Sequence, residues 1–63
     1  MTTLTLSLKL DEVRQMRNGA DVACEYAVRF YPGGEVRFTL PPGGEYTLVG
    51  DGRPIDVTIA KVK

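Results

Sequence analysis

The 63-residue chain contains no histidine and a single cysteine, and its eight basic residues are balanced by eight acidic ones. Without histidine it lacks the commonest general base and the commonest nitrogen ligand for metals. We therefore expect a protein that is not an enzyme and that holds no cofactor and no metal. Zero net charge provides no overall attraction to nucleic acid or to anionic lipid.

One cysteine cannot form an internal disulfide, which is typical of a reducing compartment, so we expect a cytoplasmic protein. The sequence also has no long apolar run, and it therefore predicts neither a secretory signal nor a membrane span. A chain of this length forms one domain, which we place at 1–63 and which is near the lower limit for an unaided hydrophobic core.

Turn motifs are the most informative feature that is present. Pro-Gly-Gly-Glu occurs at 32–35 and again at 42–45, and the dipeptide Asp51-Gly52 follows shortly after. Proline fixes φ at the start of a turn and glycine accepts positive φ, so each motif predicts a tight connection between antiparallel strands. The regular spacing of the three motifs predicts a meander.

Apolar and polar residues alternate between these turns, which is the pattern of strands with one buried face. We predict five strands, approximately at 3–10, 21–31, 35–40, 45–49 and 55–61. A single sheet with such an apolar face must be covered, so we expect the meander to curl into a small barrel or half-barrel, or two copies to stack. The predicted inward residues are Leu4, Leu6, Leu8, Leu10, Val22, Cys24, Tyr26, Val28, Phe30, Val36, Phe38, Leu40, Tyr46, Leu48, Ile55, Val57 and Ile59.

The register follows from the requirement that apolar residues face one another. A three-residue loop at 32–34 pairs Val28 with Phe38, and the second copy of the loop pairs Phe38 with Leu48. A two-residue loop at Asp51-Gly52 then pairs Leu48 with Ile55. In this register Arg29 lies directly opposite Arg37.

Residues 11–18 admit two interpretations. Asp11 can cap a short helical turn that carries Val13 and Met16 and ends at Asn18-Gly19, and we favour this because of the helix propensity of residues 12–17. Alternatively, Asn18-Gly19 forms a hairpin that pairs the first two strands. Either structure allows those two strands to be neighbours.

Arg29, Tyr31 and Arg37 are the candidate partner-binding residues. Like charges placed opposite one another are unfavourable unless something negative lies nearby. Glu35, diagonal to Arg29, can supply that charge locally. Alternatively, an acidic or phosphate group of a partner docks there, with Tyr31 as an amphipathic contact.

Other candidate sites have simpler explanations. Glu45 and Asp56 fall on one outward face in this register, but an outward face offers no cleft to shift their pKa values, so we expect solvated carboxylates. Cys24 is on the inward face with no histidine to activate it, and we expect a buried small apolar residue.

The leading hypothesis is a small binding protein that occupies a surface on a larger macromolecular complex. Small chains without a catalytic set are frequent in phages and other mobile elements, and an inhibitor of a host defence system would act in this way. The alternatives are a small nucleic-acid-binding barrel, in which Arg29, Tyr31 and Arg37 contact backbone and base, and a structural homo-oligomer.

We expect a homodimer in preference to a monomer, with the first strand or the leucine face at the contact, and a protein partner in preference to nucleic acid or membrane.

Overall fold

The computed structural model describes residues 1–31 and 33–62 of the chain. Within these ranges the chain forms six β-strands and no helix. The strands are β1 (Thr2–Ser7), β2 (Val13–Arg17), β3 (Cys24–Phe30), β4 (Glu35–Leu40), β5 (Glu45–Val49) and β6 (Pro54–Lys61). The predicted all-β class is confirmed, and the predicted number of five strands is wrong because residues 13–17 form a strand of their own.

The strands form two antiparallel sheets. One sheet has four strands in the order β1-β6-β3-β4, and the other is the pair β2-β5, which we term the ribbon. Only β3 and β4 are consecutive strands that also pair, so the predicted meander is wrong. Because β1 and β4 are opposite edges of the four-stranded sheet, the described residues form no closed barrel.

The ribbon covers the apolar face of the four-stranded sheet, so the apolar side chains are buried between two layers and not inside a closed barrel. The most buried hydrophobic residues all belong to the predicted inward set; they are Leu8, Cys24, Tyr26, Val28, Leu48, Ile55 and Val57. Four other members of that set, Leu4, Leu10, Val22 and Val36, are exposed. Leu10 and Val22 lie in connections, and Leu4 and Val36 lie on the edge strands β1 and β4.

Three aromatic rings join the two sheets. Tyr26 of β3 and Phe38 of β4 are stacked with ring centroids 5.5 Å apart, and Tyr46 of the ribbon lies 5.2 Å from Tyr26 and 5.1 Å from Phe38. Aromatic pairs favour these offset and edge-on arrangements. Phe38 therefore contacts the ribbon across the core, and the predicted pairing of Phe38 with Leu48 within one sheet is wrong.

In the β3–β4 hairpin each residue faces the predicted side of the sheet, but the register of the two strands differs from the predicted one. Val28 pairs with Val36 and Arg29 pairs with Glu35, two residues away from the predicted pairs. The same residues stay inward because a shift by two preserves the face of every side chain. The observed register replaces the unfavourable Arg29–Arg37 pair by opposite charges. Pro32 of the predicted loop lies outside the described residues, but the Phe30 amide donates to the Gly34 carbonyl at 3.0 Å.

The second Pro-Gly-Gly motif does not form a hairpin. It carries the chain from β4 to the ribbon through a turn in which Gly44 N donates to Pro41 O at 2.9 Å and Gly43 has φ +78°. Pro41 and Pro42 have no amide hydrogen to donate, so they end the pairing of β4. The extra proline is what distinguishes this copy from the first.

Buried Asn18 holds that turn in place. Its side-chain Nδ2 donates to the carbonyl oxygens of Val22, Leu40 and Pro41 at 3.1 to 3.2 Å, and its Oδ1 accepts from Ala20 N at 3.0 Å. Asn18 is only 1% exposed. Both predicted roles for Asn18, the end of a helix and a hairpin turn, are therefore wrong.

Residues 13–17 pair with β5 rather than forming a helical turn. Met16 faces the core opposite Tyr46, while Arg17 and Gln15 point away from it. Tertiary pairing overrides the helix propensity of this segment. β6 separates β1 from β3, so the first two predicted strands, 3–10 and 21–31, are not neighbours.

The Asp51-Gly52 turn connects the ribbon to β6 instead of closing a hairpin. Asp51 Oδ1 accepts from Arg53 N at 3.0 Å, and Gly52 has φ +83°. The chain thereby leaves β5 and enters β6 at the centre of the other sheet. The predicted pairing of Leu48 with Ile55 is wrong, although both residues are buried in the same core.

Candidate functional site

The candidate site is the side of the four-stranded sheet that faces away from the ribbon. Side chains alternate along each strand, so the residues between the buried ones share this second side. We term it the outer face and define it by Thr3, Thr5, Glu25, Ala27, Arg29, Glu35, Arg37, Asp56, Thr58 and Ala60. The adjacent loop adds Tyr31, which is 46% exposed.

A single carboxylate joins the two predicted arginines. Arg29 Nε donates to Glu35 Oε1 at 2.8 Å, and Arg37 Nε donates to Glu35 Oε2 at 2.6 Å. Glu25 lies 3.8 Å from the Arg37 guanidinium on the other side. Each arginine therefore has a negative partner within the chain.

Tyr31 belongs to a second cluster on the same face. Its hydroxyl donates to Asp56 Oδ2 at 2.7 Å, and Thr5 Oγ1 donates to Asp56 Oδ1 at 2.9 Å. Asp56 pairs with Arg29 in the β3–β6 register, so the two clusters are neighbours. The charged groups then comprise three carboxylates and two guanidinium groups.

These hydrogen bonds favour the charged forms of the acids. Bonds from Arg29 and Arg37 lower the pKa of Glu35, and bonds from Tyr31 and Thr5 lower the pKa of Asp56. The same Tyr31–Asp56 bond raises the pKa of Tyr31 because the neutral hydroxyl is the donor. At neutral pH the two arginines of the outer face are paired with carboxylates, and Asp56 is hydrogen-bonded to Tyr31 and Thr5.

Small side chains at the middle of the outer face form a shallow depression of about 280 Å³. Ala27, Thr58 and Ala60 are half-buried at its centre, with the arginines and glutamates along one side. This arrangement provides a weakly apolar floor beside hydrogen-bonding groups, which suits a protruding side chain of another macromolecule.

The structure brings Arg29, Tyr31 and Arg37 together on one face, in a different arrangement from the predicted one. Glu35 is directly opposite Arg29 rather than diagonal to it. The participation of Asp56 was missed, because the predicted meander placed β6 beside β5. The alternation of Ile55, Val57 and Ile59 indicates which face of β6 is buried but not which strands lie beside it, so it gave no signal for the pairing of β6 with β3.

Other candidate groups are separated or buried. Glu45 lies on the ribbon and Asp56 on the four-stranded sheet, so the predicted common face of these carboxylates is wrong. Cys24 is 2% exposed and its thiol contacts the Val22 carbonyl at 3.7 Å, which confirms the expected buried position. The described part of the chain has no cluster of three or more acidic, cysteine or histidine side chains suited to a metal ion.

Among the same residues, no helix has the length and apolar character needed to cross a membrane. No protein-family model, no curated protein and no solved structure matches the chain.

Proposed function

We propose that this chain is a non-enzymatic binding protein that occupies a surface on a larger macromolecular complex through its outer face. The observation that carries the proposal is the Arg29–Glu35–Arg37 bridge beside a depression with a small-residue floor. Paired charges hold their side chains in place before a partner arrives, which reduces the entropy lost on docking. Tyr31 extends the surface with an amphipathic ring of the kind enriched at interface centres.

The charge of the outer face favours protein over nucleic acid as the partner. Both arginines are occupied by Glu35, and Glu25 and Asp56 add further negative charge. A phosphate backbone would have to displace these carboxylates and approach the remaining ones. Binding to nucleic acid would also fall steeply as salt is raised, whereas docking of a neutral protein patch would not.

The more specific form of this proposal is an inhibitor of a host defence system, of the type that phages and other mobile elements produce. The small size of the chain supports it, since such proteins act by blocking a surface rather than by chemistry. A buried, unpaired Cys24 is compatible with action in the cytoplasm, where thiols stay reduced.

Quantitative capture of partners from a nuclease-treated lysate of the native host tests the proposal. Ala27→Tyr fills the depression without changing charge, and Thr47→Tyr makes a similar addition on the exposed outer side of the ribbon as a control. We expect Ala27→Tyr to weaken capture of a specific protein by at least about tenfold and Thr47→Tyr to leave it unchanged.

Equal capture by both variants would show that the outer face is not the contact surface. Capture from an untreated lysate that is lost after nuclease treatment, together with steep salt dependence, would instead identify a nucleic-acid-binding protein.

A further inference from the structure

The two edges of the four-stranded sheet differ in charge. The edge strand β4 carries Glu35 and Arg37, and charged side chains on an edge discourage pairing with another strand. The opposite edge, β1, has the sequence Thr-Thr-Leu-Thr-Leu-Ser and carries no charge over its whole length. Nothing on β1 therefore repels a second strand, including an identical one.

The sequence of β1 is nearly symmetric about Thr5. From Thr3 to Ser7 it reads Thr-Leu-Thr-Leu-Ser, so reversing its direction again gives alternating hydroxyl and leucine residues. Two antiparallel copies centred on Thr5 place Leu4 opposite Leu6 of the other copy. Thr3 then lies opposite the other copy's Ser7, and the hydroxyl side chains of Thr3, Thr5 and Ser7 stay on one side of the sheet.

The core is incomplete at this edge. Leu4 belongs to the row of core-facing residues that continues through Val57 to Val28. Val57 is 0% exposed and Val28 is 1% exposed, whereas Leu4 is 37% exposed. The ribbon thus leaves the inner side of β1 partly uncovered, and an adjacent strand with a leucine at the matching position would cover it.

We propose that β1 is a homodimer interface in which two copies pair antiparallel about Thr5 and form a continuous eight-stranded sheet. The contact is a two-fold one, because each copy supplies the same strand to the other. It satisfies the backbone groups of β1 that have no neighbouring strand and buries Leu4 against Leu6 of the second copy.

Such a dimer places the two outer faces side by side on one sheet surface, since the side-chain alternation runs through the interface. A complex with repeated docking surfaces could then be engaged by both copies at once, which strengthens binding without new contacts. The dimer itself does not depend on the proposed function, because its evidence lies in the two sheet edges and in the core beneath β1, and not in binding by the outer face.

Cysteine cross-linking tests the register. Thr5→Cys brings two thiols opposite each other across the two-fold axis, within the Cα separation that disulfides require. We expect it to form a covalent dimer on mild oxidation, whereas Thr39→Cys on β4 and the native chain, with only buried Cys24, stay uncross-linked. Efficient cross-linking through Thr39→Cys would overturn the proposal.

Sedimentation equilibrium measures the assembly directly. We expect the native chain to be a dimer at high micromolar concentration. Thr5→Lys should weaken the dimer by at least about tenfold, because two ammonium groups then face each other across the axis, while Thr39→Lys should have no effect. A native chain that is monomeric up to millimolar concentration, or that forms assemblies of increasing length, would also overturn the proposal.

Discussion

Arg29 on β3 lies directly opposite Glu35 on β4, and the Arg29 Nε donates a hydrogen bond to Glu35 Oε1 over 2.8 Å. The same carboxylate accepts a bond from Arg37, two residues further along β4. Moving the hairpin by two residues would keep every apolar side chain inward but would bring Arg29 against Arg37. The two registers bury the same apolar side chains, so the bonds of Glu35 favour the observed register where the hydrophobic pattern does not distinguish between them.

Acid should weaken the fold partly through Glu35. Its hydrogen bonds to Arg29 and Arg37 lower its pKa in the folded chain below the ordinary value of 4.5. Its contribution to stability is therefore complete above the unfolded pKa and is lost as pH falls through the lower, folded pKa. We expect Glu35→Gln to reduce the difference in urea midpoint measured between neutral pH and about pH 3.

Asp21→Asn is the matched control for that measurement. Asp21 is exposed in the connection before β3 and makes no ion pair among the described residues. Its substitution should leave the acid dependence close to that of the native chain. If the two variants respond equally to acid, the Glu35 bridge does not contribute.

Tyr46 carries a buried hydroxyl without a hydrogen-bond partner among the described residues. Burial also raises the pKa of this tyrosine. A buried polar group without a partner lowers stability, so Tyr46→Phe should be neutral or should stabilise the fold by about 1 kcal/mol in thermal or urea unfolding. Tyr31→Phe is the contrasting variant, because it removes the solvent-exposed bond to Asp56 and should lower stability slightly. Clear destabilisation by Tyr46→Phe would contradict this interpretation.

The sequence predicts which residues are buried far better than it predicts which strands pair. Alternation in Cys24 to Phe30 and in Ile55 to Ile59 identifies the core because it is a local property with a period of two. The alternation within a strand is the same whichever strand lies beside it. The choice of partner depends on groups distant in sequence, such as the bonds from Asn18 to Leu40 and Pro41, and these have no periodic signal.

The candidate site could be predicted only in part, because alternation gives the face of each residue but not the neighbouring strand. Arg29 and Arg37 share a face in any register that keeps Val28 and Val36 inward, so their proximity follows from the alternation. Asp56 enters the site only because β6 lies beside β3. The unfavourable arginine pair was itself a local signal that the register needed to shift by two residues.

Asn18 connects the ribbon, the loop before β3 and the end of β4, and its amide should be hard to replace. Asn18→Asp keeps the shape but puts a carboxylate oxygen where Nδ2 donates to three carbonyls. We expect a loss of about 2 to 4 kcal/mol at neutral pH, because the buried charge then has Ala20 N as a donor on one oxygen while its other oxygen faces three carbonyl oxygens. The loss should shrink in acid, since burial beside carbonyl oxygens raises the pKa of the new carboxyl and protonation removes its charge. A variant as stable as the native chain would show that the three bonds contribute little.

Gly50 lies in the connection between the two sheets, and it is the position there where an added side chain should be tolerated least. A Cβ added there would overlap the Lys9 carbonyl oxygen and lie 2.6 Å from Leu8 Cβ, and Leu8 is part of the core. Both backbone groups of Gly50 are also engaged, with Glu12 O at 2.7 Å and Asp11 N at 2.8 Å, so the backbone cannot move away without losing these bonds. We expect Gly50→Ala to cost about 2 to 4 kcal/mol in urea unfolding, a large part of the stability of so small a domain.

Gly19→Ala is the control for Gly50→Ala, since no atom lies within 4 Å of a Cβ added at Gly19. It should be neutral or should stabilise the fold by up to about 1 kcal/mol through reduced freedom of the unfolded chain. The contrast tests the topology itself, because in a meander Gly50 would stand in an open hairpin end. Equal effects of the two substitutions would mean that Gly50 does not pack against Leu8 and Lys9, and that the ribbon does not join the four-stranded sheet at this point.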